Sequence, residues 1–361
     1  MDKGLDIDGR RMLLGCHAVL GALAARDAGA GFGASARTTL EHALRLVAAA
    51  RRRPDPVAGE RALNWAAAPD RHILVLGEPA YPALLAAIPA PPLVLFVEGS
   101  VNLLAAAQVA VVGSRKASAG GLRLAHEMAA ALSRAGFAIT SGLALGIDAA
   151  AHQGALASSG DTLAVLGCGI DRVYPARHRE LAGEVRRRGA LVSEFALGAP
   201  PARHHFPRRN RIIAGLAHGT LVIEAAARSG SLSTALHAAE QGREVFAVPG
   251  SVRNPQAAGC HALIKQGAKL TESVEDVLEE LPQAGCVSPA TPPASDDQAL
   301  NPSLDRDARR VLAACGWEPV TIEALTERSA LTVSELSSIL LALELEGLVE
   351  CRANGTYLRT R

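Results

Sequence analysis

Short apolar runs alternate with stretches of helical spacing between about residue 90 and residue 281. Helical spacing fills most gaps between the runs, for example at 119–135, 178–188 and 231–241. Strands that are apolar on both faces and alternate with helices indicate a parallel sheet covered on both sides. We therefore predict an α/β, doubly wound, mostly parallel Rossmann-like domain over 71–281, with its ligand at the carboxyl ends of the strands. The predicted strands are Leu93–Val97, Val109–Val112, Phe137–Thr140, Thr162–Leu166, Ala190–Val192, Leu221–Ile223 and Val245–Val248.

The segments that flank this domain carry different patterns. Residues 10–26 and 38–53 have helical spacing, and we predict a small helical domain over 1–70. The prolines among Ser, Ala, Asp and Gln make 282–305 a linker. A glycine-rich stretch between the first two helices fits either a flexible loop or a helix-hairpin-helix motif that binds a DNA backbone; its glycines are Gly29, Gly31 and Gly33.

The last segment, 306–361, has the helix–helix–helix–hairpin pattern of a winged-helix domain. Thr332 is predicted to cap its third helix and Gly347 to end it. From Thr332 to Glu350 there is no Lys or Arg, whereas a helix that enters a major groove needs cations near phosphates. We therefore expect a protein-interaction or regulatory module and not a reader of duplex DNA. The acidic residues are Glu335, Glu344, Glu346 and Glu350.

Composition narrows the class of protein. The 361 residues carry a net charge of +1, so any site for nucleic acid must be locally basic. The six cysteines form no CxxC pair, which favours a reducing compartment and argues against a zinc ribbon or a disulfide framework. Acidic residues precede the apolar stretch 12–25, where a signal peptide would be basic, and no run approaches the ~18 apolar residues of a membrane helix. We expect a cytoplasmic protein without membrane contact.

The turn after the strand Val109–Val112 is a candidate phosphate site. Walker A and GxGxxG signatures are missing, and the turn has the sequence Gly113-Ser114-Arg115-Lys116. Backbone N–H groups between a strand and a helix bind phosphate, and Arg115 and Lys116 add positive charge. The alternative is a plain turn with solvated basic residues.

The strand Phe137–Thr140 leads into Ser141–Asp148, with His152 four residues further on. Asp148 and His152 would share one face of a helix and could form an acid–base pair. The alternative, which we favour, makes Asp148 a helix cap or a turn former and His152 a packed histidine.

The densest local charge is the segment 203–213, which contains several arginines, Phe206 and Asn210. Guanidinium groups on phosphates, an aromatic ring under a base and an amide on a base edge fit single-stranded nucleic acid. The alternative is a solvated arginine surface, but the chain returns at once to apolar Ile212 and Ile213. A site is therefore the better interpretation.

A further loop, Arg228–Thr234, follows the strand Leu221–Ile223. Its Ser and Gly residues could bind phosphate or ribose, or could simply cap a helix.

Signatures of catalysis are sparse, since neither GxSxG nor HExxH occurs. The sequence therefore predicts a binding groove more readily than a reaction centre.

Six ordered motifs lie between about residue 75 and residue 281. They are Gly113-Ser114-Arg115, Ser141–Asp148, Tyr174-Pro175, Phe206–Gly215, Ser229–Leu232 and Val248-Pro249-Gly250. Together they resemble the motifs of the DNA-processing protein A (DprA/Smf) family, whose common layout adds a helical, SAM-like N-terminal domain and a winged-helix tail. The resemblance implies a protein that binds single-stranded DNA, loads the RecA recombinase on it in homologous recombination, forms a homodimer and serves natural transformation.

The resemblance also implies roles for individual residues. Arg115 would grip phosphate, Arg208 takes the basic position of the Phe-Pro-basic-Arg-Asn-Arg motif, and Arg177 and Arg179 would extend the basic floor. No catalytic residue, cofactor or metal is expected. The predicted DNA-binding residues are Gly113, Ser114, Arg115, Lys116, Ser141, Gly142, Gly146, Arg177, Arg179, Phe206, Arg208, Asn210, Arg211, Ser229, Gly230 and Ser231. The family's dimer surface implicates His261, Leu263 and Ile264.

A second hypothesis is a nucleotide-binding protein or a nucleoside-monophosphate phosphoribohydrolase, because the fold is similar to that of cytokinin-activating phosphoribohydrolases. Those enzymes carry a Pro-Gly-Gly-x-Gly-Thr-x-x-Glu loop. The corresponding stretch here, 229–237, lacks the glycine run and ends in His237 instead of Glu. The missing carboxylate favours the non-enzymatic hypothesis.

Overall fold

The computed structural model describes residues 5–20, 36–49, 53–281, 306–316, 319–329, 331–352 and 355–360. The chain forms two compact units, residues 1–288 and residues 289–361. The glycine-rich stretch at 29–33 and the predicted linker 282–305 lie outside the described residues.

A nine-stranded sheet lies at the centre of the first unit, in the order β1-β2-β6-β5-β4-β3-β7-β8-β9. Pairing is parallel from β6 through to β9, whereas β2 runs antiparallel to both β1 and β6. The prediction of a mostly parallel Rossmann-like sheet is therefore confirmed. The strands are β1 (Arg71–Val75), β2 (Val94–Gly99), β3 (Gln108–Val112), β4 (Ala138–Ser141), β5 (Thr162–Val165), β6 (Ala190–Ser193), β7 (Gly219–Val222), β8 (Glu244–Ala247) and β9 (Lys269–Leu270).

Helices cover both faces of this sheet. Alternate residues of β3 point to opposite sides, so that Val109 and Val111 belong to one apolar cluster and Ala110 and Val112 to another. The helices are α1 (Ile7–Leu20), α2 (Ala36–Ala49), α3 (Pro56–Trp65), α4 (Ala83–Ala86), α5 (Ala119–Arg134), α6 (Ile147–Ala157), α7 (Arg179–Arg188), α8 (His205–Leu216), α9 (Ser231–Glu240), α10 (Ala258–Lys265) and α11 (Val274–Glu280). Side chains of α5 and α6 complete the first cluster, and those of α8 and α9 join the second.

The N-terminal helices pack on the edge of the sheet. Leu13 and Cys16 of α1 are fully buried in the same cluster as Phe96 of β2. Trp65, at the end of α3, meets the Phe96 ring edge-on with 5.8 Å between ring centroids. The predicted helices are present over 10–20 and 38–49, and their remaining residues 21–26 and 50–52 lie outside the described residues. The domain boundary at residue 70 stays a prediction.

The order of the strands creates a switch point beside β3. The chain passes from β3 through β4 and β5 to β6 on one side, and then returns to place β7 on the other side of β3. The loops after β3 and β7 therefore diverge at neighbouring strand ends. Such a crevice is the place where open α/β sheets bind ligands.

The second unit is a winged helix, as predicted. Its sheet has the order β10-β12-β11. Thr332 caps α14 in a capping box with Glu335, and Gly347 has φ 70° after the helix end. The elements are α12 (Arg306–Cys315), β10 (Val320–Thr321), α13 (Ile322–Ser329), α14 (Val333–Leu345), β11 (Val349–Cys351) and β12 (Thr356–Arg359).

Within the described ranges, no helix has the length and apolarity needed to cross a bilayer. The cysteines in those ranges carry free thiols. Nor do three His, Cys, Asp or Glu side chains group there as a metal site would require.

Candidate nucleic-acid interface

A cavity of about 740 Å³ opens at the carboxyl ends of β3 and β7. We call it the switch-point cavity. Its charged lining consists of five cations and one carboxylate, although the whole chain has a net charge of only +1. The site is therefore locally basic, as a nucleic-acid site in this chain has to be. The charged residues are Arg115, Lys116, Asp148, Arg203, Arg209 and Arg228.

The turn between β3 and α5 is held rigidly on the protein side. The Ser114 N–H donates to the Glu224 carbonyl at 2.6 Å, and the Ser114 hydroxyl accepts from the Lys116 N–H at 3.1 Å. The Glu224 carboxylate accepts from the N–H and the hydroxyl of Ser118, at 2.9 and 2.6 Å. These contacts leave the Arg115 and Lys116 side chains exposed at the cavity.

Two aromatic rings form a platform beside Arg115. The Phe206 and Tyr174 ring centroids are 5.7 Å apart, with the rings tilted by 42°. The Arg115 guanidinium lies 5.2 Å from the Phe206 ring centroid. A Cβ at Gly167 would come within 2.8 Å of the Phe206 ring, so this position requires glycine for the close approach. Aromatic faces next to a cation are suited to stack bases whose phosphates the cation binds.

The loop before α9 forms the opposite wall. The Ser229 and Ser231 hydroxyls are 2.7 Å apart. The Asn210 side-chain amide donates to the Gly230 carbonyl at 3.2 Å and to the Ser233 hydroxyl at 2.7 Å. Asn210 thus holds this loop against α8. The prediction that it contacts a base edge stays untested, and its present partners are protein groups.

The floor of the cavity is built on a buried arginine. Arg209 is 4% exposed and donates to the carbonyls of Gly142, at 2.7 Å, and of Val165. Burial lowers the pKa of Arg209 to about 10, which keeps it charged at neutral pH. Asp148 accepts from the N–H groups of Gly142 and Ala144, at 3.1 and 3.3 Å. Burial raises the pKa of Asp148, while the neighbouring Arg209 opposes that rise.

His152 does not form an acid–base pair with Asp148. Its Nδ1 lies 2.7 Å from the Thr162 hydroxyl, and the side chain is fully buried. Burial lowers the pKa of His152 to about 3, so the ring is neutral at physiological pH. Asp148 anchors a loop and His152 packs in the core, which is the alternative that the sequence analysis favours.

Two predicted arginines of α8 form ion pairs with a carboxylate, and neither they nor the carboxylate line the cavity. Glu194, fully buried, pairs with the Arg211 guanidinium, which also donates to the Ala90 carbonyl at 2.6 Å. The Arg208 Nε lies 3.8 Å from the same carboxylate. The structure therefore connects Arg211 and Arg208 to the protein interior, and their predicted contacts with DNA stay predictions.

The predicted residues that do not contact Glu194 are found in four places. Nine of them line the switch-point cavity, namely Gly113, Ser114, Arg115, Lys116, Phe206, Asn210, Ser229, Gly230 and Ser231. Ser141 ends β4 and Gly142 begins the loop that follows it, and the Ser141 hydroxyl donates to the Val111 carbonyl. Gly146 and Arg177 line a neighbouring groove, and Arg179 lines a pocket near Glu98.

Two family models together match most of the chain from residue 72 onward. The model for DNA recombination-mediator protein A matches residues 72–282, and the DprA winged helix domain matches residues 289–355. The chain belongs to the DprA/Smf family. Protein Smf from Escherichia coli is 44% identical over 303 residues, which cover 84% of this chain and 81% of that protein. DNA processing protein DprA from Streptococcus pneumoniae is 46% identical over 200 residues, or 55% of this chain and 71% of that protein.

Solved DprA structures agree with this assignment. The X-ray structure of DprA from Streptococcus pneumoniae has a TM-score of 0.59 at 35% identity, covering 77% of this chain and 94% of that one. DprA from Helicobacter pylori, whose structure concerns its single-stranded DNA binding mode, has a TM-score of 0.54 at 25% identity. That match covers 60% of this chain and 97% of the other. The family places the chain in DNA processing.

Several cavity residues are not among the predicted DNA-binding residues, although they lie in segments that the sequence analysis names. Arg203 and Arg228 are exposed cations of the lining, and Tyr174 supplies the second ring. Arg228 follows β7, so its place at a strand's carboxyl end is the signal that could have identified it. Arg209 is also absent from the predicted residues, because sequence alone does not give the direction of each arginine side chain in the run.

Proposed function

We propose that this DprA/Smf family member binds single-stranded DNA in the switch-point cavity. One observation carries the proposal: a set of cations surrounds the Phe206–Tyr174 platform at the crevice where this fold binds ligands. Phosphates interact with Arg115 and Lys116, and bases stack on the rings. The Helicobacter pylori relative, described for its single-stranded DNA binding mode, supports the same ligand.

The proposal includes a role in recombination. We infer that the protein delivers its strand to the RecA recombinase, in the cytoplasm, during natural transformation. The family description as a recombination mediator and the DprA names of the relatives support this role. A RecA-loading assay on a single strand tests it, and failure to accelerate filament formation contradicts it.

We also propose that the protein acts by binding and not by catalysis. Asp148 supplies the carboxylate of the cavity lining. This carboxylate already accepts hydrogen bonds from two backbone N–H groups and interacts with the charge of Arg209. His237, at the position where phosphoribohydrolases carry Glu, has its Nδ1 3.2 Å from the Glu240 carboxylate. Release of free base from nucleoside monophosphates would instead support the hydrolase hypothesis.

A homodimer through α10 completes the proposal. Leu263 and Ile264 are half-buried against the core, and His261 Nε2 lies 2.9 Å from the Gly250 carbonyl. Two exposed apolar residues nearby in the sequence, Val252 at 89% and Leu270 at 43% exposure, support an interface in this region. Sedimentation of Leu270→Glu beside the unmodified protein tests it, and equal masses would contradict it.

The first experiment is fluorescence anisotropy of a labelled single strand and of its duplex, at two salt concentrations. We expect tight, salt-sensitive preference for the single strand, and a loss of that binding in Arg115→Ala. Arg187→Ala is the matched control, since Arg187 is exposed on α7 and lies outside the cavity lining. No binding to a single strand would contradict the proposed function.

A further inference from the structure

A second groove adjoins the switch-point cavity. Its volume is about 590 Å³, and its lining comes from α5, from α6 and from the helical turn Ala176–His178. We call it the α5–α6 groove. Arg115 and Lys116 line both spaces, so the two meet at the turn between β3 and α5.

The chemistry of the α5–α6 groove is basic. Arg115, Lys116, Arg123 and Arg177 line it together with His126, and its lining includes no Asp or Glu. Arg123 is half-buried on α5, and neither a hydrogen bond nor an ion pair holds its side chain among the described residues. Four such cations around one groove repel one another, and a polyanion relieves that repulsion.

The lining of the groove and its connection to the cavity fit a chain better than a compact ion. Its α6 wall is made of Ala149, Ala150 and the exposed Gln153. The two alanines give the lining an apolar part on which a sugar or a base can lie, in the same groove as Arg123 of α5. The groove is continuous with a cavity of about 740 Å³ that contains the aromatic platform, so an extended ligand can occupy both.

We propose that the α5–α6 groove continues the path of single-stranded DNA beyond the switch-point cavity, and that Arg123 contacts a phosphate there. This inference rests on the proposed function of the cavity. Arg115 and Lys116, on the ridge between the two spaces, then bind the phosphates that connect the nucleotides in the cavity to those in the groove. Continuity with the platform favours a nucleic-acid strand over an acidic peptide.

The test compares oligothymidines of about 4 and about 16 nucleotides, the span of site sizes in single-strand binding folds. In Arg123→Gln we expect the long probe to bind several-fold more weakly, and the short probe, held by the platform, to bind as before. The slope of log K against log salt should fall by about 0.7 for the long probe, the value for one lost phosphate contact on a single strand. Gln153→Glu, which adds a negative charge on the opposite wall, should weaken the long probe in the same way.

Arg187→Gln is the matched control, because it removes the same charge from an exposed helix outside both linings. The proposal is overturned if Arg123→Gln binds the long probe with unchanged affinity and salt slope, or if an acidic peptide alone competes for the groove. If Arg115→Gln weakens both probes while Arg123→Gln weakens neither, the path through the groove fails and the cavity stands. If Arg115→Gln also leaves both unchanged, the proposed function itself fails.

Discussion

The buried pair of Glu194 and Arg211 makes it possible to test whether Arg211 of the family motif binds DNA or stabilises the fold. The sequence places Arg211 in the DNA-binding set, whereas its side chain is 9% exposed and contacts Glu194 and the Ala90 carbonyl. Glu194 directly follows β6, and Arg211 lies on α8, which also carries Phe206 and Asn210. These contacts indicate a structural role for Arg211. We therefore expect Arg211→Met to lower the stability of the protein and to leave the affinity of the folded protein for single-stranded DNA unchanged.

The expected loss follows from burial. Removing one partner of a buried ion pair costs about 3–5 kcal/mol, because the remaining charge has no compensation. Arg208 lies 3.8 Å from the same carboxylate and still compensates in part, so we expect about 3 kcal/mol. That is a large fraction of the roughly 5–15 kcal/mol by which domains are stable. Arg211→Met/Glu194→Leu should recover part of the loss, because no charge is then left buried.

The loss should depend on pH. Burial raises the pKa of Glu194, while Arg211 and Arg208 lower it. Without Arg211 the pKa rises further, so the folded variant binds a proton at a higher pH than the wild type does. A carboxyl whose pKa is raised by folding lowers stability above that pKa, and this cost disappears as the carboxyl is protonated. The difference between variant and wild type is therefore largest at neutral pH and shrinks as the pH falls through the raised pKa.

Urea unfolding at neutral pH and at about pH 5 measures both effects, with strand binding recorded on the same samples. Arg187→Met on the surface of α7 is the control and should change the free energy of unfolding by less than about 0.5 kcal/mol. The reasoning is refuted if Arg211→Met retains wild-type stability and loses strand affinity as Arg115→Ala does.

Three further predictions concern the platform, the turn and the second unit. Phe206→Ala should weaken single-strand binding by about 1–3 kcal/mol, measured by anisotropy, and a folded variant with full affinity would exclude stacking. Arg115→Ala should weaken binding to single strands of every sequence equally and should lower the slope of log K against log salt by about 0.7. Weakening that depends on the sequence would argue against a phosphate contact. Thr332→Ala removes the N-cap of α14. The substitution should lower the stability of the second unit by about 0.5–2 kcal/mol and increase amide hydrogen exchange within 331–345 only. Uniform exchange across both units would contradict that prediction.

The strands around the site were predictable because each buried strand is a short, continuous run of apolar residues. The run Val109–Val112 is apolar on both faces, and the observed β3 is buried at each of its residues. β1 (Arg71–Val75) was missed, since its first two residues are Arg and His and its burial begins only at Ile73. The antiparallel pairing of β2 was also beyond the sequence, because direction depends on partners rather than on the strand itself.

The arginine motif shows where sequence reasoning stopped. α8 was not predicted, because charge and Pro207 obscure its helical period, although a proline is tolerated in a first turn. Once the segment is a helix, Phe206, Arg209, Asn210 and Ile213 follow the i, i+3, i+4, i+7 spacing of one face, and all of them line the cavity.

Arg208 and Arg211 are three residues apart and share another face of α8, the one that meets Glu194. A single motif thus combines two functions that the helix separates by direction. One face presents a ring and a buried cation to the switch-point cavity, and the other pairs with Glu194, the buried carboxylate that follows β6. Substitution of Phe206 on the first face should therefore change affinity, and substitution of Arg211 on the second face should change stability.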